Sequence, residues 1–413
     1  MNKPGIFQDL VPALRRVSWV PSSVRNYLLG EDKSIEELSR LMMESEGEYS
    51  SYLIADRVLS EFERLDDDGA AVFFDLLNTS YDLDVERIGE LGHQYAQSSD
   101  PLVFEQLLQA AEPQRQKFLQ RLNMAPEGTL RLVKMREKLR RVSRDNPDLK
   151  KMDVDFRRLL TSWFNPGFLS LKPITWNSPA HILEKIIAYE AVHEIGSWRE
   201  LKQRLQPEDR RCYAFFHPAM ADEPLVFVEV ALMDAVPRQI EEILGSERHE
   251  VGAERATAAI FYSISNCHKG LSGVSFGNFL IKHVANHLKS ELHQLKTFAT
   301  LSPVPGLVRW IETSESDDAD GNLENLAARF LVDEKNDDHE PLDPVARFHL
   351  RNGARLERIN LNANQSELGV SQSRGVMVNY TYDLSTVEEN HEKYVHEKFV
   401  SASPSVRKLA NTR

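Results

Sequence analysis

The sequence predicts an α+β protein, with an all-helical bundle over residues 1–164 followed by a mixed α/β domain over residues 165–413. Three observations carry this. Apolar residues recur at spacings of three and four through the first third of the chain. The Pro- and Gly-rich stretch "WFNPGFLSLKPITW" (163–176) then breaks that period. Beyond it, short β-branched and aromatic runs alternate with amphipathic segments, as in a sheet covered by helices.

The opening "MNKPGIFQDLVPALRRVSWV" carries Arg15 and Arg16 but also Pro4, Asp9 and Pro12. It has no continuous apolar core and reads as a mobile leader, with a weak organelle-targeting signal as the alternative. Tyr52, Ala55, Leu59 and Phe62 then fall on one helix face, as do Phe104, Leu107, Leu108 and Ala111, and later Leu132, Met135, Leu139 and Val142. Asp100-Pro101 is an N-cap with proline at the first helical position, and Asn78-Thr79-Ser80 and Asp145-Asn146-Pro147 read as breaks. A bundle so polar on its outer faces suits a scaffold or a subunit interface.

In the second domain, strands are expected at 213–217, 225–233, 258–265, 295–301, 354–360 and 377–384, a sheet of about six. Helices are expected at 180–192, 236–245, 277–292 and 322–333. The acidic run "ETSESDDADG" (312–321) has no apolar anchor and reads as a solvated loop.

Fifty basic against 63 acidic residues give a net charge of −13. That balance disfavours duplex nucleic acid or an anionic membrane surface as a partner. It leaves room for a small anionic ligand held by a helix N-terminus and a few local cations. The most apolar stretch, 224–233, is about half the length of a membrane helix and contains Glu229. Cys212 and Cys267 have no paired spacing, which fits a reducing cytoplasm. No His/Cys/carboxylate set has metal-ligand spacing, so no metal is expected.

Three stretches could carry chemistry. In "SISNCHKGLSGVSFGNFLIKHVANHL" (263–288), Gly270, Gly273 and Gly277 separate an apolar strand from a helix. Such a turn can cradle a phosphate, with Lys269 and Lys282 nearby, although the spacing matches neither a P-loop nor a dinucleotide fingerprint. In "TLSPVPG" (300–306), Pro303 biases Ser302 toward an extended backbone and the proline pair stiffens the loop. The alternative is a rigid strand-ending turn, since no Gly-x-Ser-x-Gly elbow surrounds the serine. In "ARFHLRNGARLERIN" (346–360), His349 stands between Phe348 and Leu350, ahead of an Asn352-Gly353 turn and a strand. A lone histidine in such company is more often a hydrogen-bonded core residue than a catalyst. His339, His391 and His396 lie among polar and acidic residues and look like surface positions.

Taken together, "WFNPGFL", "TWNSPAHILEKI", "EAVHEI", "EPLVFVEVAL", "AAIFYSIS", "GLSGVSFGNFLIK", "LSPVPG", "LDPVARFHLRNGARLERIN" and "VMVNYTYDL" resemble the malonyl-CoA decarboxylase family over most of residues 163–384. The resemblance implies a helical N-terminal domain followed by a GNAT-like acyl-CoA-binding domain. It implies a CoA-binding segment at Ser272, Gly273, Val274, Ser275, Phe276, Gly277 and Asn278, with Ser275 where animal members carry a glutamate. It implies catalytic roles for Ser302 and His349 and an active-site position for Tyr382. The chain ends "ANTR" rather than in a Ser-Lys-Leu address, which favours a bacterial cytoplasmic enzyme. A homotetramer or dimer built through the helical domain is also implied.

The implied reaction takes malonyl-CoA to acetyl-CoA and CO2 through an enolate, with Ser302 and His349 meeting where the thioester ends. The rivals are a GNAT-type acyltransferase, an acyl-CoA thioesterase and a non-catalytic acyl-CoA sensor.

Overall fold

The computed structural model describes residues 33–45, 47–274, 280–313 and 322–412. The leader, most of the acidic run and Ser275–Asn278 of the glycine-rich segment lie outside the described residues. The chain divides into two compact units. One takes the residues up to Asn165 with Pro218–Met220 and His268–Ser275; the other takes Pro166–His217, Ala221–Cys267 and Phe276–Arg413.

The first unit is helical: α1 (Ile35–Glu44), α2 (Glu48–Arg64), α3 (Asp67–Ser80), α4 (Val85–Ser98), α5 (Pro101–Ala110), α6 (Gln114–Leu122), α7 (Gly128–Val142) and α8 (Lys150–Trp163). Side chains at the starts supply the acceptors that free helix amides need: Ser34 in a capping box with Glu37, then Asp66, Asp84 and Asp100. Phe62, Phe73, Phe74 and Phe118 interlock in the core, with Phe62 and Phe74 5.4 Å apart edge to face. In this unit His268–Val274 packs against α7, where buried Arg136 donates to the carbonyls of Gly270 (2.7 Å) and Ser272 (2.9 Å). A Cβ on Gly270 would lie 1.9 Å from the Val133 carbonyl oxygen, so only glycine fits there.

One expectation for this unit holds and one needs correcting. Asn78-Thr79-Ser80 does mark a break, as the last three residues of α3, which ends at Ser80. Thr79 Oγ1 bonds back to the Asp75 carbonyl at 2.9 Å and Asn78 Nδ2 reaches the Asp148 carbonyl at 3.0 Å, so the competing polar groups are satisfied within the helix and its packing. The set from Phe104 to Ala111 does lie on a helix and its C-cap, but that helix buries none of its residues, and Leu102 and Leu108 are more than half exposed.

The second unit carries one eight-stranded mixed sheet: β1 (Ser170–Ile174), β2 (Arg210–His217), β3 (Met220–Met233), β4 (Ala258–Asn266), β5 (Thr297–Thr300), β6 (Ser302–Pro303), β7 (Arg355–Asn360) and β8 (Met377–Thr381). Their order is β1-β2-β3-β4-β5-β8-β6, with β7 also paired to β8. Its helices are α9 (Ala180–Tyr189), α10 (Trp198–Leu205), α11 (Glu241–Leu244), α12 (Leu280–Glu291), α13 (Leu307–Thr313), α14 (Leu323–Val332), α15 (Pro344–Arg351), α16 (Glu367–Ser373), α17 (Val387–Glu397) and α18 (Pro404–Ala410). A helical region followed by a mixed sheet with helices is the α+β order expected from the sequence.

Alternation along the strands decides the two faces. Val226, Val228, Val230, Leu232, Ala259, Phe261 and Phe298 share a core with Ile281, Val284, Ala285 and Leu288 of α12. Ala214, Phe216 and Phe227 pack instead with Ile182, Leu183 and Ile186 of α9 and Leu201 of α10. β1 sits in the Pro-rich stretch read as a boundary, and β6 is two residues long, which is why the sequence suggests six strands where eight form. Residues 236–245, expected to be helical, give only the single turn of α11.

Candidate active site

β4 and β5 run parallel, paired from Ala258/Thr297 to Phe261/Thr300. β4 continues to Asn266, but the chain after Thr300 turns to pair with β8, with Ser302 opposite Val378. Among the described residues the β5-side edge of Tyr262–Asn266 thus has no ladder partner. Thr300 and Leu301 span the fork: the Leu301 amide donates to the Phe261 carbonyl at 3.2 Å, while Thr300 Oγ1 accepts from the Tyr380 amide of β8 at 3.1 Å. Ser302 is the next residue, held extended by Pro303.

His349 arrives from the other side on α15. It stands in the last turn of that helix, and the segment leads on through the Asn352-Gly353 turn into β7, as expected. Asp343 is the N-cap, its Oδ1 accepting from the Ala346 amide at 2.7 Å, and Pro344 takes the first helical position, which needs no N–H donor. Gly353, at φ 81°, ends the helix in the left-handed region, and a Cβ there would sit 2.0 Å from the Val387 carbonyl oxygen. Cap and turn fix an eight-residue helix between a loop and β7, and with it the height of the imidazole.

Ser302 Oγ lies 2.9 Å from His349 Nε2, and His349 Nδ1 lies 2.7 Å from the Tyr382 hydroxyl. Ser302 Oγ also donates to Thr300 Oγ1 at 2.8 Å. Thr300, Ser302, His349 and Tyr382 therefore form one continuous chain, each residue at most 5% exposed. Tyr380 stacks on the imidazole at 4.5 Å between ring centroids and Phe348 meets it edge-on. Ser302, His349 and Tyr382 come together as the sequence suggested; Thr300 was missed, since a threonine two residues before a serine on a strand has no motif of its own.

The electrostatics follow from burial. With its ring removed from water, His349 is pushed down to about 3, so it is neutral at ordinary pH. Burial holds the Tyr382 phenol well above its usual range. Among the described residues no carboxylate touches the imidazole; the group on Nδ1 is a phenol. Asp343, fully buried, is raised to about 6 by desolvation against the pull of the Ala346, Val345 and Gly306 amides.

Of the glycine-rich segment, Ser272 and Gly273 are exposed and Val274 is buried. Ser275, Phe276, Gly277 and Asn278 lie outside the described residues. His339 and His396 are exposed and His391 is partly so. Among the described residues no group of three His, Cys, Asp or Glu side chains is arranged to hold a metal ion, and no helix is long and apolar enough to cross a membrane.

A neutral hydroxyl–imidazole–phenol chain beside the fork of a mixed sheet is an arrangement along which hydrogens can pass, the kind of chemistry an acid–base enzyme uses. Comparison with known proteins narrows this. The chain belongs to the malonyl-CoA decarboxylase family. The C-terminal domain model of that family matches residues 167–323 and 313–413, and its N-terminal domain model matches residues 81–164. The mitochondrial malonyl-CoA decarboxylase of the goose Anser anser anser is 35% identical over 348 residues, 71% of this chain and 69% of that protein. The mouse enzyme is 35% identical over 64% of each chain. Crystal structures of malonyl-CoA decarboxylase from Rhodopseudomonas palustris and Agrobacterium vitis superpose with TM-scores of 0.85 and 0.86, at 43% and 44% identity. They cover 91% and 92% of this chain, and 98% and 100% of theirs.

Proposed function

We propose that this protein decarboxylates malonyl-CoA to acetyl-CoA and CO2, using Ser302 and His349 as its acid–base pair and Tyr382 as the group that orients and refills the imidazole. The observation that carries the reading is the unbroken hydrogen-bonded chain from Ser302 through His349 to Tyr382, in a chain of this family.

Loss of CO2 leaves its electron pair on C2, where the neighbouring thioester delocalises it as an enolate. The protein has to hold the carboxylate out of the thioester plane, stabilise the enolate oxygen and protonate C2. A donor aimed at that oxygen contributes ~3–4 kcal/mol in comparable sites, and positioned acid–base help about 10²–10⁴-fold. In the reading offered here, C2 takes the hydrogen of Ser302, the Nε2–H of His349 restores the serine, and the ring regains hydrogen on Nδ1 from Tyr382, which is refilled from solvent. One solvent proton is consumed per turnover and the imidazole stays neutral throughout, in keeping with its depressed value.

Residues 272–278 are the segment we assign to CoA, on the strength of the resemblance. We read residues 1–164 as a scaffold and oligomerisation domain and residues 165–413 as the catalytic one, in a cytoplasmic homodimer or homotetramer that uses no cofactor. The exposed Leu102, Phe104 and Leu108 of α5 support an interface there. The deciding assay supplies malonyl-CoA alone: CO2 and acetyl-CoA are expected, free CoA with malonate would mark a hydrolase, and dependence on an added amine would mark a transferase.

A further inference from the structure

We propose that Arg136, on α7 of the helical unit, is a positioning residue that fixes the turn Leu271–Val274 so that the Gly273 amide donates to a phosphate of CoA; the inference rests on the assignment of that segment to CoA above. The turn is of type II. Ser272 lies at φ −58° and ψ 131°, Gly273 at φ 75°, and the Val274 amide donates to the Leu271 carbonyl at 2.9 Å. A Cβ on Gly273 would meet nothing closer than Arg157 Cδ at 3.8 Å. The backbone angle, not the space, is what calls for glycine there.

The peptide between Ser272 and Gly273 is trans, so the serine carbonyl and the glycine N–H point in opposite directions. The carbonyl end is held. Arg136 Nη1 donates to it at 2.9 Å and to the Gly270 carbonyl at 2.7 Å, and Arg140 Nη1 donates to it at 3.3 Å. Arg136 is oriented in turn by Asp153 of α8, which accepts from Nε at 2.8 Å and from Nη2 at 3.2 Å. With the side chain only 1% exposed, the two-pronged pair locks the guanidinium plane. The N–H end is free. Gly273 is exposed, and among the described residues its amide has no acceptor. Two guanidinium groups on the carbonyl polarise the peptide and strengthen its N–H as a donor. Arg157 runs beside the turn, exposed and without an ion pair among the described residues. In a chain of net charge −13, a fixed backbone donor next to an uncommitted cation suits an anion. The nucleotide half of CoA supplies such anions as phosphates. Arg136 touches none of them; it acts through the peptide, and the helical unit thereby enters substrate binding beyond the scaffold role read for it above.

The test sets malonyl-CoA against the malonyl thioester of N-acetylcysteamine, which keeps the reacting end and carries no phosphate. For Arg136→Met, KM for malonyl-CoA should rise about 10-fold with kcat within about twofold of the parent, while kcat/KM for the phosphate-free thioester stays parental. Arg136→Lys, which keeps a cationic donor without the fork, should lie between. A folded methionine variant with parental KM for malonyl-CoA overturns the proposal. So do equal losses on both thioesters, which would show that the arginine only supports the fold. Should the methionine variant not fold, Gly273→Ala decides, because the site has room for the methyl but φ 75° does not suit an L-residue and the peptide turns over. The same KM rise, confined to malonyl-CoA, supports the proposal and a parental KM overturns it. Calorimetric titration with CoA separates this inference from the decarboxylase reading. A parent that binds CoA but releases no CO2 sinks that reading alone; CoA binding about 10-fold weaker in the variant then still supports the role of Arg136, and equal binding overturns it.

Discussion

Two polar clusters occupy opposite faces of the same sheet, and they are held in opposite ways. On the face covered by α9 and α10, Glu229 is fully buried and accepts from Arg204 at 3.0 Å, while Arg204 also donates to the Glu194 carbonyl at 3.0 Å. Beside them Glu190 accepts from Ser263 Oγ at 2.7 and 2.8 Å and from the Val192 and His193 amides. On the other face, Thr300, Ser302, His349 and Tyr382 make a chain containing no ionised group. The first cluster tolerates burial because Arg204 pairs with Glu229 and Glu190 accepts from hydroxyl and amide donors. The second tolerates it because nothing in it is charged, so a hydrogen can shift along it without separating charge. The histidines repeat the contrast. Burial depresses both His193, to about 4, and His349, to about 3, but only His349 has both ring nitrogens hydrogen-bonded; His193 Nε2 is a buried atom with no partner.

The contrast can be broken first on its ionic side. Arg204→Met leaves Glu229 buried without its cation and should cost about 3–5 kcal/mol of stability, read as the urea midpoint. A loss under about 1 kcal/mol would mean the pair behaves like an exposed one. On the neutral side, His349→Asn and Ser302→Ala should each lower kcat by about 10²-fold or more while CoA still binds, as isothermal titration can follow; near-parental turnover in either variant removes that residue from the mechanism. Asp343→Ala, which deletes the N-cap of α15, should cost about 1 kcal/mol and loosen His349, so kcat falls severalfold in a variant that melts slightly earlier, with Asp343→Asn retaining both.

The smallest effects are in pH. Burial raises Glu229 to about 7 from an ordinary 4.5, so the folded state binds its proton more tightly than the unfolded chain does. That contribution is complete below about 4.5 and is lost as pH rises through 7; thermal melts of Glu229→Gln at several pH values should lack this decline. His349 has the opposite sign. Its folded value lies below 6.5, so its contribution is present above that value and is lost as pH falls toward 3. Because the ring stays neutral between about pH 5 and 8, kcat should show no inflection near 6.5, and a clear one would assign an imidazolium to the working enzyme.

Much of this was written in the local chemistry of the chain. Period and caps place the helices of the first unit, and β-branched runs place six of the eight strands. β1 escaped because Pro173 and its neighbours look like a linker, and β6 because two residues carry no period. Ser302 and His349 could be singled out by Pro303 and by Phe348 and Leu350, yet neither context separates a catalyst from a rigid turn or a core histidine; the family resemblance is what favours the catalytic reading we propose.

What the sequence determined by itself is the order of elements, their turns and the kinds of side chain available, because propensity, capping and alternation act over a few residues. Only the tertiary structure decided that Thr300, Ser302, His349 and Tyr382, spread over 83 positions of the chain, share one hydrogen-bonded line. That line depends on β5 leaving β4 after Thr300 and on α15 being exactly as long as Asp343 and Gly353 allow. Such long-range registers are set by packing across the sheet, and no local pattern encodes them.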